Sequence, residues 1–133
     1  MSSAKKWKKK METAQQYAEV FDVGRALSSV GDDRDFLTEV VGLTRAAWPT
    51  LLADIREGMA RGDLRAVETK ARLAKAAAQN VSARRAYESA LQLQTVAGKG
   101  DMQATQIALA SLEGEVEILQ FFLATLEPPT SPS

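Results

Sequence analysis

The dipeptide Gly-Asp occurs three times in this chain, at Gly31-Asp32, Gly62-Asp63 and Gly100-Asp101. Glycine just past a helix end tolerates the left-handed backbone that closes the helix, and aspartate accepts hydrogen bonds from the free amides of the next helix. Each dipeptide therefore predicts the end of one helix and the start of another. Their wide spacing predicts a bundle of helices joined by short turns.

Apolar residues between these turns recur in steps of three and four, which places them on one face of a helix. After Asp101 the stripe comprises Leu109, Leu112, Val116, Leu119, Leu123 and Leu126. After Asp63 it comprises Leu64, Val67, Ala71, Ala74, Ala78 and Val81. Pro128 and Pro129 stop the last helix, and residues 128–133 are expected to form a disordered tail.

The segment from Asp33 to Gly62 carries two adjacent apolar stripes, which predicts a long helix buried against several partners. The first stripe comprises Phe36, Val40, Leu43 and Ala47. The second comprises Leu37, Val41, Trp48, Leu52, Ile55 and Met59. Pro49 lies inside this segment, where it removes one backbone hydrogen bond and is expected to bend the helix.

The remaining segments complete the predicted architecture. A helix over residues 83–97 offers Tyr87, Ala90, Leu91 and Leu93 to the core, and Asp22 is expected to cap a short helix ending at Val30. A further N-terminal helix is predicted from the stripe Trp7, Met11, Ala14, Ala18 and Phe21. The sequence thus predicts an all-α fold: an antiparallel four-helix bundle over residues 21–127 with one or two additional N-terminal helices. Residues 1–20 are expected to hold a basic tail and one of these helices.

The amino-acid composition excludes several common kinds of enzyme chemistry. The 133 residues predict one domain, and they include neither cysteine nor histidine. Disulfides, thiol nucleophiles, the commonest general base and the commonest transition-metal ligand are therefore missing. No nucleophile–base pair or phosphate-binding glycine loop is visible, so we expect no enzymatic activity, cofactor or metal. Glu113, Glu115 and Glu117 offer too few converging oxygens for a hard cation and are expected to be solvated.

Net charge is zero, yet Lys5, Lys6, Lys8, Lys9 and Lys10 concentrate positive charge at the N-terminus. With Trp7, the Lys5–Lys10 cluster could contact nucleic acid or an anionic membrane. The cluster is short and no second basic patch supports it, so a solvated tail is favoured. Met11 is also a plausible alternative start. The sequence has no run of 18 apolar residues and no apolar segment after the lysines, which predicts a cytoplasmic protein.

Residues 71–83 read Ala-Arg-Leu-Ala-Lys-Ala-Ala-Ala-Gln-Asn-Val-Ser-Ala. They resemble the core of histidine phosphotransfer (HPt) domains, whose pattern is Ala-His-x-Leu-Lys-Gly-x-Ala-x-Asn-Val/Leu-Gly-Ala. The likeness extends over residues 21–127. Phe36-Leu37 with Glu39, followed by Pro49 and Gly62-Asp63, is similar to the family's long helix with its central proline. Similar matches occur at Phe21-Asp22, Gly31-Asp32, Leu93-Gln94 and Gly100-Asp101.

The resemblance places Arg72 where the family carries its phospho-accepting histidine. Lys75 is retained, and Ala76 stands in place of a glycine. At 100° per residue, Arg72, Ala76 and Gln79 point away from the apolar stripe, with Lys75 on the flank and Glu68 nearby. In the family this face meets the receiver domain of a response regulator. The implied partner-binding residues are Glu68, Arg72, Lys75, Ala76 and Gln79.

The resemblance therefore implies a signalling module of a two-component phosphorelay that cannot accept phosphate. Such a module would dock on a receiver domain as a competitor or adaptor. An alternative is a helical-bundle interaction module repurposed for another protein, with no phosphorelay role, and a third is a drifted remnant with a solvated face. Arg84 and Arg85 either make the electrostatic potential near Arg72 more positive or are simply solvated surface residues.

Overall fold

The structure is a computed structural model that describes residues 16–126 together with Lys5, Lys8, Lys9 and Glu12. These residues form helices and turns, with no strand among them. Within residues 16–126 the helices are α1 (Val23–Ser29), α2 (Arg34–Ala60), α3 (Leu64–Asn80), α4 (Arg84–Gly98) and α5 (Met102–Ala124). The all-α prediction is confirmed, as is the short helix after Asp22.

Aspartate opens α1, α2, α3 and α5. In each case a side-chain oxygen accepts a hydrogen bond of 2.9–3.0 Å from the backbone amide three residues later, which satisfies one of the free amides at the helix start. These caps are Asp22, Asp33, Asp63 and Asp101. Gly62 and Gly100 precede two of them with φ of +68° and +75°. Both of these Gly-Asp pairs close one helix and open another, as predicted.

The first Gly-Asp pair behaves differently. Gly31 closes α1 with φ of +66°, but Asp32 is itself left-handed at +60° and Asp33 caps α2. The amide of Asp32 still donates to Leu27 O, so this residue belongs to the turn that ends α1. The prediction that Asp32 opens the next helix is wrong by one residue.

The turn between α3 and α4 has no Gly-Asp pair. Ser82 takes the left-handed φ of +53° there, and the N-cap residue Ala83 has no side chain that could bond an amide. Glu19 substitutes for the missing cap, because its carbonyl accepts from the amide of Arg85 at 2.9 Å. The amide of Asp22 donates to Ser82 O at 3.1 Å. The segment before α1 thus satisfies the α3–α4 turn.

The core lies between four helices. Helix α2 packs on α3, α3 on α4 and α4 on α5, while α5 also contacts α2. The stripes predicted for α3 and α5 are buried, with Leu64 partly buried. Trp48 of α2 is fully buried and is the largest core side chain. Helix α1 adds its own apolar face, Val23, Ala26 and Leu27.

The two apolar stripes predicted for α2 differ in how far they are buried. The second is buried, apart from the partly buried Met59, and faces α3 and α5. The first is not buried throughout, because Phe36 is 49% exposed and Leu43 is 74% exposed. Leu91 of α4, also expected in the core, is exposed as well. A helix at the corner of a bundle has neighbours on one side only, so the outer apolar residues stay at the surface.

Pro49 sits within an α2 helix that continues from Arg34 to Ala60. Proline has no amide hydrogen, so the carbonyl four residues earlier, that of Arg45, loses its usual helical donor. Gln120 of α5 replaces that donor, since its Nε2 lies 2.9 Å from Arg45 O in a partly buried position. The defect in α2 is therefore compensated by a side chain of another helix.

Replacing Gln120 by leucine should remove the hydrogen bond that Gln120 Nε2 donates to the Arg45 carbonyl. We expect unfolding free energy to fall by about 1–3 kcal/mol, the penalty for a buried polar group that loses its hydrogen bond. Urea denaturation followed by circular dichroism measures this difference. In a Pro49→Ala background the helix can bond the carbonyl itself, so the same substitution should cost clearly less. An equal cost in both backgrounds would contradict the compensation.

Several predictions concern residues outside the described part. These are most of the predicted N-terminal stripe (Trp7, Met11 and Ala14) and the tail over residues 128–133. Lys5, Lys8 and Lys9 are helical and exposed. None of the described helices combines the length and the apolar character needed to cross a bilayer.

Candidate functional site

Helix α3 carries the five predicted site residues, which we call the α3 face: Glu68, Arg72, Lys75, Ala76 and Gln79. Arg72, Ala76 and Gln79 are exposed, whereas Glu68 and Lys75 are half-buried at the edge of the helix. Ala71 and Ala74, which point the other way, are fully buried. The structure thus brings the predicted residues together on one side of one helix.

The surroundings hold α3 in place. Asp63 caps its first turn, and its alanine stripe (Ala71, Ala74 and Ala78) packs into the core. On the α2 side, Lys70 Nζ lies 3.3 Å from the Asp54 carboxylate. Because the helix is flanked by both α2 and α4, the α3 face is presented by a packed scaffold.

The cations of the α3 face differ from five other basic side chains of the bundle. Arg56, Arg61, Lys70, Arg84 and Arg85 each have a carboxylate partner within 4 Å. Neither of the two α3-face cations, Arg72 or Lys75, forms an ion pair or hydrogen bond with any residue that the structure describes. Their donors are therefore available to an external acceptor.

Glu68 is four residues before Arg72, a spacing that permits an ion pair along a helix. Its carboxylate instead lies against Gly98 at the end of α4, where a Cβ would come within 2.7 Å of Glu68 Oε2. The missing side chain of Gly98 makes room for this orientation. The carboxylate thus lies at the α4 edge, and the Arg72 guanidinium has no ion-pair partner among the described residues.

Sequence reasoning missed two residues of this surface. Arg65 is exposed and lies seven residues before Arg72, a spacing that returns to within about 20° on a helix. It too has no ion-pair partner among the described residues. Leu73, beside Arg72, is 49% exposed. The seven-residue spacing could have predicted that Arg65 shares a side of the helix with Arg72. The exposure of Leu73 could not be predicted, because an apolar residue beside an apolar stripe is normally expected in the core.

A groove of about 500 Å³ begins at Gln79. It runs between the end of α3, helix α1 and the start of α4, and its other lining residues include Asp22, Arg25, Ser82 and Tyr87. Arg84 also reaches the groove, but it is paired with Glu88 at 3.1 Å and approaches Glu19 at 3.6 Å. Its charge is therefore locally balanced.

The acidic residues of α5 do not converge. Glu113 pairs with Arg56 of α2, and Glu115 pairs with Arg85 of α4 at 2.9 Å. Glu117 is exposed and lies four residues after Glu113, on the same side of the helix. Within the described part of the chain, no group of three or more potential ligands could hold a metal ion. Arg85, which was considered as a source of positive field near Arg72, is neutralised by Glu115.

The α3 face offers unpaired cationic donors, one adjacent small residue and an exposed leucine. This combination suits binding of an acidic protein surface. No protein-family model matches the chain, and the curated proteins and solved structures likewise contain no match to it.

Proposed function

We propose that this chain is an HPt-like module that docks on a response-regulator receiver domain without accepting phosphate. The observation that carries the proposal is the unpaired, exposed Arg72 on the α3 face, at the position where the family has its histidine. Lys75, three residues later, matches the family lysine. In this role the chain competes with a phosphorylatable partner or acts as an adaptor.

The HPt-type antiparallel arrangement is part of the proposal, and cross-helix pairs support it. Between α2 and α5, Arg45 meets Gln120 and Arg56 meets Glu113, so residue numbers rise on one helix as they fall on the other. Two further local features support the family likeness. Ser82 takes φ of +53° at a position where the HPt pattern has glycine, and Pro49 interrupts the long helix.

Phosphotransfer is excluded by the chemistry of arginine. The guanidinium stays protonated at physiological pH and has no free lone pair to attack phosphorus. The family's imidazole, in contrast, attacks the phosphoryl group of a receiver aspartate with an unprotonated nitrogen. We therefore expect no residual phosphate uptake by the parent chain.

Binding remains possible because the two cations suit an acidic cleft. For members of the HPt family, the partner is a receiver domain whose phosphorylation site is surrounded by aspartates. A planar guanidinium can bond such a carboxylate through two parallel N–H donors, while the Lys75 ammonium adds a second charge. Ala76, which is exposed, leaves room for the approaching domain with only one methyl more than glycine.

A repurposed interaction module is the second candidate. It is favoured by the exposure of Leu73 beside Arg72, because an apolar residue next to an arginine is a common composition for a protein interface of any kind. Binding of another protein through the α3 face, with no affinity for receiver domains, would distinguish this candidate.

Titration of purified receiver domains from response regulators tests the proposal. We expect micromolar affinity for a cognate domain, and an Arg72→Gln variant should bind about tenfold or more weakly. Glu68→Gln should bind slightly more tightly, because it removes a negative charge that repels the acidic partner. Arg34→Gln, which removes a charge at the start of α2, is the matched control and should bind like the parent. Absence of binding to every receiver domain, or equal loss with Arg34→Gln, would contradict the proposed function.

A further inference from the structure

Helix α5 has a second apolar stripe that the core does not use. Ile107 is 68% exposed, Ile118 is 41% exposed and Phe121 is 71% exposed. Seven residues separate Ile107 from Gly114, and seven more separate Gly114 from Phe121, so these positions follow one side of the helix. That side points away from the buried Leu112, Val116 and Leu119. A helix that is apolar on both sides usually has neighbours on both sides.

Gly114 lies in the middle of this stripe. A Cβ at this position would meet nothing within 4 Å, so packing inside the chain does not require glycine there. Glycine is unfavourable in a helix interior, and a common reason for it is close approach of another backbone. The glycine therefore points to a partner that crosses α5 at this position.

The stripe is arranged symmetrically about Gly114. In an antiparallel pair of α5 helices that cross at this glycine, Ile107 would face Phe121 of the second copy. Ala110 would face Ile118, and Ser111 would face Glu117. In such an isologous two-fold contact, each residue faces its counterpart of the second copy twice, once from each chain, so that large apolar side chains face other apolar residues. The same register places Glu113 opposite Glu115 of the second copy, at the edges of the contact.

The flanking charges also allow a second copy to approach. The neighbouring carboxylates Glu113 and Glu115 are paired with Arg56 and Arg85 on other helices. Glu117 is the remaining acidic residue beside the stripe, and its counterpart is the small hydroxyl of Ser111. The charge arrangement is therefore compatible with two identical faces.

We propose that the chain forms a reversible homodimer through antiparallel packing of α5 against α5, with Gly114 at the crossing point. The stripe from Ile107 to Phe121 spans about 21 Å of helix, a small interface, so the dissociation constant should lie in the micromolar range. Helix α3 packs between α2 and α4, across the bundle from α5. The dimer would therefore leave two α3 faces exposed.

Two complementary variants test the dimer and its orientation. The parent chain should sediment as a dimer at concentrations of about 100 μM to 1 mM, well above the expected dissociation constant, and Ile107→Lys and Phe121→Glu should each be monomeric there. An equimolar mixture of the two variants should recover a dimer, because the introduced lysine faces the introduced glutamate while the other Ile107–Phe121 contact stays intact. A parallel pair would not recover. Circular dichroism of each exposed-site variant checks that the helices are retained.

Leu43→Glu is the matched control, since Leu43 is 74% exposed and lies on α2. It should leave the dimer unchanged. A monomeric parent, failure of the mixture to associate, or loss of the dimer in Leu43→Glu would each overturn the proposal. A monomer would also be the outcome if another segment of the same chain covered the stripe. These results do not depend on receiver binding, which the α3-face variants test separately.

Discussion

An Arg72→His variant should take up a phosphoryl group from a phosphorylated receiver domain, while the parent chain takes up none. Position 72 is exposed, Lys75 is retained three residues later, and an unprotonated imidazole nitrogen can attack phosphorus. In that step a P–N bond forms, the P–O bond to the receiver aspartate breaks and the carboxylate leaves. Transfer of radiolabelled phosphate, followed by gel electrophoresis, measures the uptake.

The assignment of this phosphate is unambiguous because the chain contains no other histidine. Arg72→Gln is the control and should remain unlabelled. Adding Ala76→Gly to Arg72→His should speed the transfer, since it removes the methyl that separates this chain from the HPt pattern. If the variants bind a receiver domain but none becomes labelled, position 72 is not equivalent to the family's acceptor. If none binds, the docking proposal itself fails.

Replacing Trp48 by alanine should cause the largest loss of stability of any single substitution considered. The side chain is fully buried, so its removal forfeits apolar burial and leaves a cavity beside Pro49. We expect unfolding free energy to fall by about 3–5 kcal/mol, a large share of the roughly 5–15 kcal/mol of a typical domain. Urea denaturation followed by circular dichroism at 222 nm gives the difference.

Trp48→Phe separates packing from hydrogen bonding. Among the described residues, the Trp48 indole Nε1 is buried without a hydrogen-bond partner, so phenylalanine removes no bond. We expect a loss of only about 1–2 kcal/mol, due to the smaller ring. A Trp48→Ala loss below about 1 kcal/mol would show that the core collapses onto the site and would contradict the expected cavity.

Much of the fold could be predicted because the relevant signals are local. The spacing of Leu112, Val116 and Leu119 predicted a buried face of α5, and Gly62-Asp63 predicted a helix boundary. Both depend only on backbone geometry and on residues within one or two turns. A new helix from residue 83 was predicted as well, but its cap was not, because the carbonyl of Glu19 that supplies it lies more than sixty residues earlier.

For the candidate site, too, local features could be predicted from the sequence and contacts between helices could not. Helical periodicity placed Arg72 on the exposed side of α3, and the structure agrees. Periodicity could not predict that Glu68 turns towards Gly98, or that Arg85 is neutralised by Glu115, because each contact joins two helices. The docking partner likewise remains a proposal that stands on residues of the α3 face.

The amino-acid sequence by itself determined the helices, most of the aspartate caps and the inward stripes, because side-chain chemistry and short-range spacing decide these features. Only the tertiary structure decided which charges are neutralised and which apolar residues remain outside. It also decided how the Arg45 carbonyl freed by Pro49 is satisfied, through Gln120. These outcomes depend on distances between segments far apart in the chain, and such distances exist only once the helices have packed.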